Sequence, residues 1–151
     1  MGGPSTSLIG TCVAQKNLGS NVKVITAKID ENNKNFQNIN VKKISIFNLQ
    51  NLLELKKQIQ QADLIHFHSF FNLFIIVVII LSYTSKAKKI ISPRGTVDKY
   101  NINTKKKLLK KIYYFLTIYF IKKINAVHYQ SINEFKNSDI PSEEETLFLK
   151  T

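Results

Sequence analysis

Hydrophobic positions along this chain alternate between short β-branched runs and longer stretches with apolar residues three or four apart, a pattern that predicts strands separated by helices. Residues 5–18 follow Gly2, Gly3 and Pro4 and read as a helix stopped by Gly19, where the absence of Cβ permits a left-handed turn. VKVITA at 22–27 predicts a strand, and the asparagine-rich stretch 30–40 carries no core signal. Residues 41–47 supply a second strand. Over 48–61, Leu49, Leu52, Leu53, Leu55 and Ile59 recur at helical spacing. ADLIHFH at 62–68 predicts a strand and an apolar helix follows from residue 70. A strand at 88–92, a long helix at 104–123, a strand at 126–130, a short helix at 131–137 and an edge strand at 146–149 complete the series.

This alternation predicts an α/β fold in which residues 1–151 make one domain, a mostly parallel sheet covered on both faces in a three-layer, Rossmann-like arrangement. Ligands of such folds gather beyond the carboxyl ends of the strands. A glycine loop in such a fold follows a central first strand, whereas no strand precedes Gly2, so the expectation is a fold lacking that strand. Ser131 and Glu134 have the spacing of a capping box. The apolar stretch 70–83 falls short of the about 20 residues needed to span a bilayer, which favours a buried helix over membrane insertion.

Composition narrows the partners. A 151-residue chain with 44% hydrophobic content suits a single core. A formal charge of +12 points to an anionic partner, with a compositional bias towards lysine, asparagine and isoleucine as the competing source of that charge. Nucleic acid is not expected, because no helix-turn-helix, zinc or RNP-like pattern is present. Cys12 is the only cysteine, which excludes an internal disulfide and suits a reducing compartment. The opening residues lack the features of a signal peptide, so the expected location is cytoplasmic. Glu143, Glu144 and Glu145 read as a solvated acidic turn.

The candidate chemistry centres on IISPRGTVDKYNIN at 90–103, a strand running into a polar loop ahead of a basic helix. Arg94 is the only arginine among 22 lysines and arginines. Its planar five-donor fork at a strand end suits phosphate or carboxylate, and Gly95 lets the backbone turn there; the competing reading is a surface arginine in a turn. His66 and His68 stand two apart on a strand and so share a face, with Phe67 on the other and the loop starting at Ser69. At the strand end His68 is placed to hydrogen-bond a sugar hydroxyl or to exchange a proton. No metal is expected, since no further ligand stands at metal-binding spacing nearby, and packing remains the alternative role for the pair. Gly2 and Gly3 precede a helix whose free N–H groups attract phosphate, or they form a plain helix-entry turn. In the helix 104–123, Lys106, Lys107, Lys110 and Lys111 flank an aromatic and aliphatic centre, which fits an anionic membrane surface or a core helix with solvated ends.

Taken in order, GGPS at Gly2, DLIHFHSFFN at Asp63, ISPRGTVDKYN at Ile91 and the lysine-rich helix followed by AVHYQSINE at Ala126 resemble the amino-terminal half of family-four glycosyltransferases. The resemblance implies the acceptor-side domain of a retaining, nucleotide-sugar-dependent GT-B enzyme that builds cell-surface glycan on a lipid-linked or polysaccharide acceptor. It implies that Gly2 and Gly3 approach the donor diphosphate, that His68 and Arg94 face the reacting sugars, and that His66, Ser69 and Gly95 line the cleft. It further implies no cofactor beyond the nucleotide-sugar co-substrate, and a peripheral position on the inner face of the cytoplasmic membrane. Many relatives carry a histidine before the loop glycine where Arg94 stands, so an imidazole's acid-base role does not transfer to Arg94. The family's nucleotide-binding second domain is not found in this sequence, so the expectation is that the chain alone does not transfer sugar and that a second chain supplies that half. A different class of function, a non-catalytic basic module docking on membrane or a partner enzyme, accounts for the lysines alone.

Overall fold

In a computed structural model of the chain, residues 4–28, 39–69, 72–94, 124–138 and 146–148 are described. The β-branched runs form parallel strands and the leucine-spaced stretches form helices, divided between two compact units, Met1–Leu53 and Glu54–Thr151.

In the first unit, helix α1 spans Pro4–Asn17. It ends in a Schellman motif: the Ser20 N–H donates to the Gln15 carbonyl at 3.1 Å and the Gly19 N–H to that of Lys16 at 2.9 Å. Gly19 sits at φ 86°, a conformation that costs a residue with Cβ. Strands β1 (Lys23–Thr26) and β2 (Asn40–Lys43) pair in parallel from Lys23 opposite Asn40 to Thr26 opposite Lys43. Ile9, Cys12 and Ile39 form the buried cluster, with Leu8, Val22, Val24 and Val41 packed against it. The second strand is shorter than its sequence pattern predicts, because Ile44 closes the ladder on Thr26 and the Phe47 N–H turns back to the Ser45 hydroxyl.

Helix α2 (Leu49–Gln61) starts where the Asn48 side chain accepts from the Asn51 N–H at 3.1 Å, and it carries Leu55 and Ile59 into the second unit, both buried. The strands of that unit are β3 (Leu64–His68), β4 (Lys88–Ser92), β5 (Ala126–Tyr129) and β6 (Thr146–Phe148). They form one parallel sheet whose spatial order follows chain order. Helix α3 (Leu73–Ser82) begins at Asn72, whose side chain accepts from the Phe74 N–H, which is why it starts later than its apolar pattern does. Helix α4 (Ile132–Asn137) follows β5.

Phe67, Ile91 and Val127 lie on one face of the sheet, each at most 5% exposed, and form its core side. Lys89 shares that face, and its buried ammonium donates to the carbonyls of Ser85 at 3.0 Å and Ala87 at 2.9 Å, which offsets the cost of removing its charge from water. At the start of β5, Asn125 brackets Lys89: its side chain accepts from the Lys89 N–H and its own N–H donates to the Lys89 carbonyl, both at 2.8 Å.

The expected parallel α/β architecture is present, with each described element within a few residues of its predicted span. The expected single sheet is instead two, because among the described residues no strand pairs β1 or β2 with β3–β6. The expected helix 104–123 and the acidic turn at 143–145 lie outside the described residues. Among the described residues no helix is long and apolar enough to cross a membrane, and the apolar α3 has 10 residues.

Ile91 is 0% exposed and Ile80 is 46% exposed, so these two isoleucines isolate burial from residue type. Ile91→Ala is expected to lower unfolding free energy by about 2–5 kcal/mol through lost burial and a cavity, and Ile80→Ala by well under half as much. Urea titrations of both variants check this, and equal losses would contradict the assigned core face.

Candidate functional site

The site grows out of the face of the sheet opposite the core. Alternation along β3 puts His66 and His68 together on that face, as their spacing predicts. His68 pairs in register with Ser92, and the β4–β5 register, carried one residue beyond Ile91 and Val127, brings Ser92 beside His128. Parallel pairing therefore brings side chains from three strands to one level at the sheet's carboxyl end.

These side chains are hydrogen-bonded to one another. Ser92 Oγ lies 2.7 Å from His66 Nε2 and 2.9 Å from His128 Nδ1, so one fully buried hydroxyl bridges two imidazoles. The rings of His66 and His68 are in contact, with centroids 4.1 Å apart at an interplanar angle of 35°. Arg94 Nε donates to His68 Nδ1 at 3.1 Å. A guanidinium only donates, so Nδ1 of His68 is an acceptor and its proton sits on Nε2. All three histidines and the sole arginine of the chain thus form one cluster.

Two backbone conformations support this arrangement. Ser69, just past β3, has φ 79°, and Arg94, two residues past β4, has φ 53°. Left-handed backbone at residues other than glycine costs on the order of 1 kcal/mol each and persists where the surroundings fix it. Here the Ser69 N–H donates to the Ser92 carbonyl at 2.9 Å, which ties the loop after β3 to the end of β4.

Burial and mutual repulsion keep the imidazoles neutral. For His66, burial first, then the charges of His128 and Arg94, lowers the pKa from 6.5 to about 4. For His68, burial, then His66, Arg94 and His128, lowers it to about 3. His128 is lowered by burial and by Arg94, with Glu134 acting in the opposite sense. Burial lowers the pKa of Arg94 as well, with Glu134 again acting in the opposite sense. The position of Glu134 is set by the Ser131 cap: Ser131 Oγ accepts from the Glu134 N–H at 3.1 Å, and Glu134 Oε2 accepts at 2.8 Å from the N–H of Gln130, one residue before the cap rather than from the cap itself as the expected capping box has it. At neutral pH the site therefore holds one fixed cation beside three uncharged rings, a set of donors suited to an anion or to sugar hydroxyls.

Of the expected site residues, His66, His68, Ser69 and Arg94 come together. Gly2, Gly3, Gly95, Lys106, Lys107, Lys110 and Lys111 lie outside the described residues. Ser92 and His128 lie within the stretches ISPRGTVDKYN and AVHYQSINE, where the sequence pattern assigns them no role, and their convergence shows only once strand ends are aligned in register. A third histidine does reach the pair, contrary to the argument from spacing alone. Ser92 and Arg94 already occupy one nitrogen of each ring, and among the described residues no group of three His, Cys, Asp or Glu side chains could hold a metal ion. No protein-family model, curated protein or solved structure matches the chain.

Because the folded pKa values of His66 and His68 lie below 6.5, the unfolded chain binds more protons as the pH falls, and the folded state loses stability. Their contribution is full above 6.5 and is lost as the pH falls towards about 4 for His66 and about 3 for His68. The urea midpoint is expected to drop on going from pH 7 towards pH 4, and to drop less in the doubly substituted His66→Gln, His68→Gln protein. Identical pH profiles for the two proteins would contradict the assigned burial.

Proposed function

We propose that this chain is the acceptor-side domain of a GT-B, family-four-like glycosyltransferase, a three-layer Rossmann-like fold that uses a nucleotide-sugar to extend a lipid-linked or polysaccharide acceptor in cell-surface glycan synthesis. The observation that carries the reading is the gathering of His66, His68, His128 and Arg94 at the carboxyl end of a parallel sheet, where α/β folds bind ligands. Three of the four stretches on which the family resemblance rests supply this cluster: DLIHFHSFFN gives His66 and His68, ISPRGTVDKYN gives Arg94, and AVHYQSINE gives His128.

Arg94 already spends Nε on His68, which leaves the outer guanidinium nitrogens as paired donors for a phosphate oxygen. His68, with its proton on Nε2, donates to a hydroxyl of the sugar or the acceptor. A neutral imidazole suits that task because it binds without adding a charge that Arg94 would repel. In this reading Gly2 and Gly3 approach the donor diphosphate, Gly95 and Ser69 line the cleft, and Lys106, Lys107, Lys110 and Lys111 face an anionic membrane at its cytoplasmic side. The nucleotide-binding half is supplied by further sequence or by a second chain.

The test is a titration of the protein with a hexose 1-phosphate, followed through the imidazole nitrogen signals, with free hexose and inorganic phosphate for comparison. The expected result is a shift at His68 Nε2 with the hexose phosphate bound more tightly than either part. Arg94→Ala is expected to weaken binding about tenfold, the scale of one lost charge-assisted hydrogen bond. A hexose phosphate that leaves His68 unperturbed, or binds the Arg94→Ala protein equally well, would overturn the reading.

A further inference from the structure

We infer that Ser92 is a proton relay joining His128 to His66, so that the site carries a built-in path for moving a proton between two strands. The path makes Ser92 and His128 positioning residues for His66. Its geometry is complete in the fold: His128 Nδ1, Ser92 Oγ and His66 Nε2 follow one another at 2.9 Å and 2.7 Å, distances typical of strong hydrogen bonds. The hydroxyl is 0% exposed, so water does not compete for it.

A serine hydroxyl has a single proton, and this fixes the states of both rings. When Ser92 donates to His66 Nε2, it accepts from His128 Nδ1–H, and both rings carry their proton on Nδ1. When Ser92 donates to His128 Nδ1, it accepts from His66 Nε2–H, and both rings carry their proton on Nε2. The two tautomers are therefore matched. If a proton from solvent adds to His128 Nε2 in the first state, the Nδ1 proton passes to Ser92 Oγ and the serine proton passes to His66 Nε2. His128 is left neutral with its proton on Nε2, and His66 becomes the imidazolium. One proton enters, one positive charge moves from β5 to β3, and no heavy-atom bond is made or broken.

The charged and titratable groups around the path set how firmly each end holds a proton. Burial and Arg94 oppose a proton at both ends of the path; at His128 Glu134 on α4 acts in the opposite sense, and at His66, whose ring lies against that of His68, the charge of His128 adds to the opposition. His66 therefore holds a proton only briefly, as a group that passes protons on must. The relay's service to sugar transfer rests on the acceptor-site reading above, while the relay itself is open to test with no ligand present.

The experiment is long-range nitrogen–proton NMR on the unliganded chain at neutral pH, which reads the tautomer of each histidine. The expected result is the same tautomer on His66 and His128, with His68 protonated on Nε2 independently of both. Opposite tautomers on His66 and His128 in the native protein would overturn the relay, with no variant required. In Ser92→Ala, His66 and His128 are expected to lose their matched state and His66 to exchange its ring proton with water more slowly, while His68 keeps its tautomer through Arg94. Unchanged tautomers and exchange in a folded Ser92→Ala protein would also overturn it. The hexose phosphate titration fails or succeeds separately, so loss of the relay and loss of the acceptor-site reading give different results.

Discussion

The parallel register of β3, β4 and β5 is the constraint from which the rest follows. Residues at equivalent positions on neighbouring parallel strands share a face and a height, so fixing Leu64 opposite Lys88 also fixes His68 opposite Ser92. Fixing Ile91 opposite Val127 does the same for Ser92 and His128. A shift of one residue in either pairing would send the imidazoles or the serine to the core side, where Phe67, Ile91 and Val127 are packed. Core packing and site assembly are therefore one condition, enforced from opposite faces of the same strands.

Electrostatics then sets what the assembled groups can be. Three imidazoles beside a guanidinium cannot all be charged, and burial adds to the penalty, so they settle as neutral donors and acceptors. Arg94 supplies the permanent charge and, through Nε, dictates the tautomer of His68. Glu134, held by the Ser131 cap, is the carboxylate that counters this positive field from α4. A short capping helix thus has a consequence for the site as well as for the chain's turn after β5.

Much of this was legible in the sequence, for physical reasons that differ by element. The strand at Lys88–Ser92 and the helix stop at Gly19 follow from local rules, β-branching and the left-handed turn, and both stand where those rules put them. The shared face of His66 and His68 follows from the two-residue period of a strand. The role of Arg94 as a partner of His68 does not, since nothing local says which side chain a strand-end arginine meets. Ser92 and His128 are harder still: they stand on strands separated by residues 93–125, and only the register makes them neighbours. The division of the strands into two sheets escaped the pattern for the same reason, because hydrophobic periodicity reports which segments are strands and says nothing of which strands pair.

The central claim, that the three histidines and the one arginine form a single recognition site, is tested most directly by a crystal structure of the chain with a hexose 1-phosphate bound. The account predicts the phosphate on the outer nitrogens of Arg94 and a sugar hydroxyl within hydrogen-bond distance of His68 Nε2, with the His66–Ser92–His128 bridge intact behind them. A ligand bound away from the carboxyl ends of β3–β5, or a bridge replaced by imidazoles turned away from Ser92, would contradict it.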